Sequence, residues 1–178
     1  MTRHLPFLLA LACAVPAPVC AGELFIGAYA HAVDTPFSFD TGEGGADIQL
    51  GYRGKAIGAL DIVGAPAPYA LVSVNTAGDT DFIAAGLAWK VQIGPVYLRP
   101  GVGLSLNNGP ETRIDPVTRN HTELGSRVLF EPEIGLGVAV SERASIEASW
   151  VHISGARLFN SEQNPGIDMI GVRFNQRI

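Results

Sequence analysis

From Glu23 onward, apolar and polar residues alternate in segments of about ten residues, the length a tilted strand needs to cross a bilayer, separated by stretches rich in Gly, Pro, Asp or Ser. Alternation sends successive side chains to opposite faces of a strand. Ala46–Lys55 is the cleanest case, with Ile48, Leu50 and Tyr52 on one face and Asp47, Gln49, Arg53 and Lys55 on the other. Asp81–Val91 sets Ile83, Ala85, Leu87 and Trp89 on one side. After a tight turn at Gln92–Pro95, Val96–Leu106 opposes Val96, Leu98, Val102 and Leu104 to Tyr97, Arg99, Gly101, Gly103 and Ser105. Arg127–Val140 sets Phe130, Ile134, Leu136 and Val138 against Glu131 and Glu133. Leu24–Val33, Pro68–Asn75, Ala144–Ser154 and Asp168–Ile178 complete eight strands. Both faces of Leu24–Val33 are partly apolar, so its sides stay open, and Ile57–Pro66 is read as containing a turn.

The charged face decides between two all-β architectures. Arg53, Lys55, Arg99, Glu131, Glu133, Glu147 and Arg173 all lie opposite the aliphatic positions. In a soluble sandwich they would be solvated. In a small closed barrel they fill the lumen and pair, while the aliphatic face meets lipid and no strand edge is left open. Eight strands match the smallest outer-membrane barrels. The expected fold is therefore an eight-stranded antiparallel transmembrane β-barrel of the outer-membrane type. Pro100 and Pro132 fall inside strands, where a missing N–H is awkward, and local bulges are expected there.

Composition agrees with export to a membrane. Arg3 and His4 precede the apolar run Leu5–Val15, and a Pro-broken segment ends at Val19-Cys20-Ala21 before Gly22. This is the layout of a signal peptide over residues 1–21, with the barrel over 22–178. The run is too short for a spanning helix, which needs about 20 residues. A lipoprotein reading through Cys13 or Cys20 is weaker, because Val19 is not small and Cys13 sits deep in the apolar run. Both cysteines leave with the leader, so neither a disulfide nor a thiolate metal site is expected. The whole chain carries a formal charge of −5, and losing Arg3 makes it one unit more acidic. With no basic run, that argues against nucleic acid as a partner. Abundant glycine, sparse charge and positive mean hydropathy favour a membrane barrel over a soluble enzyme.

Long and short connections alternate, and in bacterial outer-membrane barrels the long loops face outside. The turn Ser141–Arg143 is then periplasmic, and Ala144–Ser154 runs outward, with His152 and Ser154 at its outer end. Asp168 begins the returning strand. Ile146, Ala148 and Trp150 share a face with His152 and Ser154, and Ile170, Val172 and Phe174 share one with Asp168. All three polar residues are therefore expected on the lipid-facing side near the outer rim, where a polar cluster is costly unless used. A base, a hydroxyl and a carboxylate are the minimum set for acyl transfer. Ser154 is read as nucleophile, His152 as general base and Asp168 as the acid that orients it. Asn164, or backbone N–H groups around Gly155, are the candidate oxyanion donors. A lone His-x-Ser pair reads as ordinary loop-edge polarity; three members converging on one face reverse that preference.

Other candidates are weaker. His31 and His121 lack partners at metal spacing, and the sequon Asn120-His121-Thr122 has no meaning on a bacterial barrel. Glu131 and Glu133 suit a lumenal ion-pair network better than glycoside hydrolysis. Trp89 and Trp150 suit the aromatic girdles of a barrel.

The C-terminal hairpin resembles that of the lipid A 3-O-deacylase family (PagL-like outer-membrane esterases). That family carries His-x-Ser on one strand and an acidic residue after an Asn-x-Gly turn on the next. Here these are His152-Ile153-Ser154 and Asn164-Pro165-Gly166-Ile167-Asp168. The chain departs in having Asp168 where Glu is more familiar, Gly155 where Asn is frequent, and a somewhat longer loop Arg157–Gln163. The shorter acid needs a closer approach to His152, and Gly155 makes Asn164 the better side-chain donor. The resemblance implies hydrolysis of the ester-linked 3-hydroxyacyl chain at position 3 of lipid A, without cofactor or metal. The partners it implies are lipopolysaccharide as substrate and outer-membrane lipid; a second copy in a homodimer stays open, since the sequence does not give the oligomeric state. Two other classes stay open: a structural or adhesive barrel with a degenerate hairpin, and an acyltransferase that passes the acyl group to an alcohol.

Overall fold

A computed structural model describes residues 22–38, 41–109, 124–156 and 166–178. The leader expected over residues 1–21 lies outside them. The strands are β1 (Glu23–Ala30), β2 (Ala46–Arg53), β3 (Ala67–Asn75), β4 (Phe82–Ala88), β5 (Val91–Ile93), β6 (Val96–Asn107), β7 (Val128–Ala139), β8 (Ala144–Ser154) and β9 (Gly166–Arg177). Apart from β4 and β5, each strand pairs antiparallel with its neighbour in sequence, β1 pairs with β9, and β4 and β5 pair with successive stretches of β6. β4 and β5 are thus halves of one strand, and the sheet closes on itself as an eight-stranded barrel. Closure leaves no edge and satisfies the backbone within the protein, which is what a bilayer requires.

The prolines interrupt ladders without bulging them. Ala88 pairs with Gly101 and Val91 with Leu98, so the register continues across Trp89 and Lys90, which stand opposite Pro100 and Arg99. In the same way the β7–β8 pairing omits Glu131 and Pro132 but keeps its register on either side. Each proline removes an N–H and opens a gap; no extra residue is inserted. The expected bulges are therefore corrected to gaps, and the second gap lies directly beside His152.

Burial assigns the faces that alternation left open. Phe25 and Tyr29 point inward, while Leu24 and Ile26 point outward with Ile48, Leu50, Val72, Val74, Ile83, Leu104, Leu136, Ile146 and Val172. The lumen is a packed ion-pair network. Arg173 bridges Glu133 at 2.9 Å and Glu147 at 3.2 Å, Arg53 meets Glu23 at 2.9 Å, and Arg99 meets Glu147 at 3.1 Å and also pairs with Glu23. Inner glycines give these long side chains room, since a Cβ at Gly135 would lie 2.5 Å from the Glu147 carboxyl carbon. Lys55 does not join them, because β2 ends at Arg53 and Lys55 is exposed beyond it. The segment expected to hold a turn contains a 3₁₀ helix, Gly58–Val63, ended by Gly64 in the left-handed conformation at φ 88°. Gln92 belongs to β5, so the turn beside it is confined to Gly94 and Pro95. One end of the barrel carries this helix and the tight turns, and the other carries the connections after β1, β3, β6 and β8.

Candidate active site

The β8–β9 register makes His152 and Asp168 direct cross-strand partners, and Ser154 stands opposite Gly166. Opposed residues hold their Cβ atoms about 4.5–5.5 Å apart, close enough for the short aspartate arm. His152 Nδ1 lies 2.9 Å from Asp168 Oδ1, which supplies the close approach that an aspartate needs in place of a glutamate. Facing a carboxylate, Nδ1 carries the proton and Nε2 is left as the basic nitrogen of the neutral ring.

The direction of Nε2 follows from Gly166. A Cβ placed there would lie 2.5 Å from His152 Cε1 and 3.0 Å from Nε2. The imidazole therefore lies over Gly166, the residue directly across from Ser154. Glycine is required here for close approach to the ring. Ser154, His152 and Asp168 are all buried, although Ile146, Ile170, Val172 and Phe174 on the same outward faces are exposed.

The connection after β1 covers Asp168 and His152. Asp168 Oδ2 accepts hydrogen bonds from the hydroxyls of Thr35 and, at 2.5 Å, Ser38. Asp168 Oδ1 also accepts the indole N–H of Trp150 at 2.7 Å. The Trp150 ring stacks on His152 with centroids 5.7 Å apart and planes inclined by 17°. Phe37 packs 5.6 Å from Trp150 and 6.2 Å from His152. Trp150 is thus a hydrogen-bond donor to the acid as well as an aromatic of the outer face. Sequence reasoning missed that role, although parity already put Trp150 on the face of His152. Nothing in the local pattern announced Thr35, Ser38 or Phe37.

The candidate oxyanion donors divide. Gly155 is buried directly after Ser154, and Ala156 follows in the left-handed region at φ 48°, which turns the chain sharply out of β8. Asn164 lies outside the described residues, as does the loop Arg157–Gln163.

His31 anchors the covering connection. Its Nδ1 lies 2.8 Å from Asp47 Oδ2 and its Nε2 2.9 Å from Glu43 Oε2. Glu43 in turn accepts the Thr80 hydroxyl at 2.9 Å, and Asp47 accepts the Asn75 amide at 3.1 Å. Burial pulls the imidazole pKa down, but the hydrogen bonds and charges of Asp47 and Glu43 outweigh it and raise the value to about 9. A pKa raised on folding stabilises fully below the unfolded value, about 6.5, and that stabilisation is lost as pH rises through 9. His31→Gln is therefore expected to lower the urea midpoint of unfolding at pH 7 and to have little effect at pH 10. An equal loss at both pH values contradicts a charged clamp.

A cavity of about 850 Å³ lined by Glu23, Arg53, Lys90 and Arg99 opens at the opposite end of the barrel and takes no part in this site.

A family model described as lipid A 3-O-deacylase (PagL) matches residues 37–177, a span that includes the whole β8–β9 hairpin. No curated protein matches the chain. Among solved structures, that of the outer membrane enzyme PagL aligns with a TM-score of 0.60 at 19% identity, covering 88% of this chain and 99% of its own. The crystal structure of Neisserial surface protein A (NspA) aligns at 0.52 and 14% identity, covering 88% and 97%. At identities this low these structures establish the shared small-barrel fold, and the family model adds the family. The chain belongs to the lipid A 3-O-deacylase (PagL) family, outer-membrane β-barrel hydrolases.

Proposed function

We propose that this barrel removes the 3-hydroxyacyl chain at position 3 of lipid A through a Ser154–His152–Asp168 triad on the lipid-facing outer rim. The single observation that carries the reading is the cross-strand His152–Asp168 pair at 2.9 Å, with the imidazole lying over Gly166 opposite Ser154.

In this mechanism Ser154 Oγ attacks the ester carbonyl carbon while His152 Nε2 takes its proton. Asp168 holds the ring tautomer and offsets the imidazolium charge. The backbone N–H of Gly155 and the side chain of Asn164 are the proposed donors to the tetrahedral oxyanion. Collapse breaks the bond to the sugar 3-oxygen, which leaves with the proton from His152. Water, deprotonated by the same nitrogen, then releases the 3-hydroxy fatty acid and restores Ser154.

The lipid-facing placement rests on parity. Trp150, His152 and Ser154 share their strand face with the exposed Ile146, and Asp168 shares its face with Ile170, Val172 and Phe174. The strand ends that carry them belong to the end with the long loops, which faces outside in barrels of this kind. A membrane lipid arrives laterally at such a position, with its acyl chain against the aliphatic wall, so a surface site needs no enclosed cavity.

An alkyl fluorophosphonate tests the nucleophile on the folded protein in detergent. The expected result is one phosphonate adduct on the peptide containing Ser154, lost in Ser154→Ala and strongly slowed in His152→Ala. Absence of any adduct on folded wild type, or labelling unaffected by Ser154→Ala, rejects the assignment.

A further inference from the structure

We infer that Thr35 and Ser38, on the connection between β1 and β2, are positioning residues that fix the rotation of the Asp168 carboxylate. The inference rests on the triad reading above and extends the site to a segment remote from it in sequence.

Four donors converge on the two oxygens of one aspartate. Oδ1 receives His152 and Trp150, and Oδ2 receives the hydroxyls of Thr35 and Ser38. A carboxylate held only through Oδ1 keeps its two contacts there but can rock about its Cβ–Cγ bond, shifting the oxygen that orients the imidazole. Holding Oδ2 as well stops that rotation.

The Thr35 hydroxyl is itself fixed in direction. Thr35 Oγ1 accepts the backbone N–H groups of Phe37 at 3.0 Å and Ser38 at 3.4 Å, and Thr35 N–H donates to Ser38 O at 2.8 Å. With its lone pairs so engaged, the Thr35 hydroxyl proton is directed at Asp168. The backbone ties the same two segments, since Val33 N–H donates to Asp168 O at 2.9 Å. Phe37, itself largely exposed, packs against the rings of Trp150 and His152 beside these contacts. His31, clamped by Glu43 and Asp47, fixes the root of the segment on the barrel.

A merely structural role would make these hydroxyls partners for a buried carboxylate and nothing more. The two roles differ in kinetics. If Thr35 and Ser38 act through Asp168, removing them lowers kcat and leaves KM near its wild-type value. Misplacement of a catalytic group by a fraction of an ångström to one ångström costs on the order of 10- to 100-fold.

The experiment measures kcat and KM for lipid A deacylation in mixed micelles, using Thr35→Ala/Ser38→Ala with and without Asp168→Ala. Folding is checked by heat-modifiable migration on gels. The expected result is a kcat loss of about 10- to 100-fold in the otherwise wild-type protein, and no further loss in the Asp168→Ala background. Thr35→Ser is expected to keep near-normal kcat. If the double variant does not fold, Thr35→Val and Ser38→Ala singly carry the same test. A folded double variant with wild-type kcat overturns the positioning role, and so does a loss of equal size in the Asp168→Ala background. Full activity of Asp168→Ala alone would instead remove the acid from the triad, an outcome distinct from failure of the loop residues.

Discussion

Ser154→Ala is expected to lower the rate of lipid A deacylation by roughly 10⁴- to 10⁶-fold while the barrel remains folded. The substitution removes only a hydroxyl from a position at the end of β8, so the ladder to β9 and the lumen are untouched. His152→Ala is expected to cost nearly as much, because an alcohol without its base is a poor nucleophile and the two act as one unit. Combining the two should add little. Asp168→Ala is expected to cost less, about 10²- to 10⁴-fold, since the imidazole stays in place as the base while it loses its fixed orientation and the partner for its charge. This order of effects separates a triad from a cluster of polar residues at a barrel rim, where all three substitutions would be silent.

The second large effect is on stability. Arg173→Met is expected to destabilise the folded barrel by about 3–5 kcal/mol, read as a lower denaturant midpoint in detergent micelles. Arg173 stands on β9 directly opposite Glu147, and its guanidinium bridges both Glu147 and Glu133 while donating to Gln49. It also lies over the Phe25 ring, 4.5 Å from its centroid. All of these partners are buried. Methionine fills much of the volume but removes the cation nearest Glu133, leaving Arg53 at 3.6 Å from Glu133 and 3.7 Å from Glu147, with Arg99 still on Glu147; taking one partner out of a buried ion network is strongly destabilising. An unchanged midpoint for Arg173→Met would mean that the lumen charges are solvated independently and do not form a network. Activity per folded molecule should survive in this variant, because Arg173 points into the lumen and the proposed triad residues share the outward strand faces.

The barrel was legible in the sequence because its two faces differ in chemistry. Ile48, Leu50 and Tyr52 against Asp47, Gln49 and Arg53 can be sorted by parity alone. β1 could not be sorted, because its inward residues, Phe25, Gly27 and Tyr29, carry no charge, and aromatic rings serve the lumen as well as lipid. Lys55 was misplaced because alternation gives no signal for where a strand stops. The prolines defied the pattern for a different reason: a ladder gap leaves the register intact, so Pro100 and Pro132 shift no side chain to the wrong face.

The candidate site was legible where it is local. His152, Ser154 and Asp168 lie on adjacent strands joined by one loop, and pairing parity brings them together. Thr35 and Ser38 meet Asp168 only because β1 closes the ring against β9. That contact belongs to barrel closure, and no periodicity within a segment encodes it. Trp150 was visible but read as a membrane-interface residue, since its indole N–H finds Asp168 only once the β8–β9 register is fixed.

The most direct measurement is mass spectrometry of lipid A from Gram-negative cells expressing the wild type beside Ser154→Ala, His152→Ala and Asp168→Ala, with each barrel shown to be folded in the outer membrane. The expected result is lipid A lighter by one 3-hydroxyacyl chain in the wild type only, with at most a trace in Asp168→Ala. Intact lipid A in the wild type, or the same deacylated species in Ser154→Ala, would contradict it.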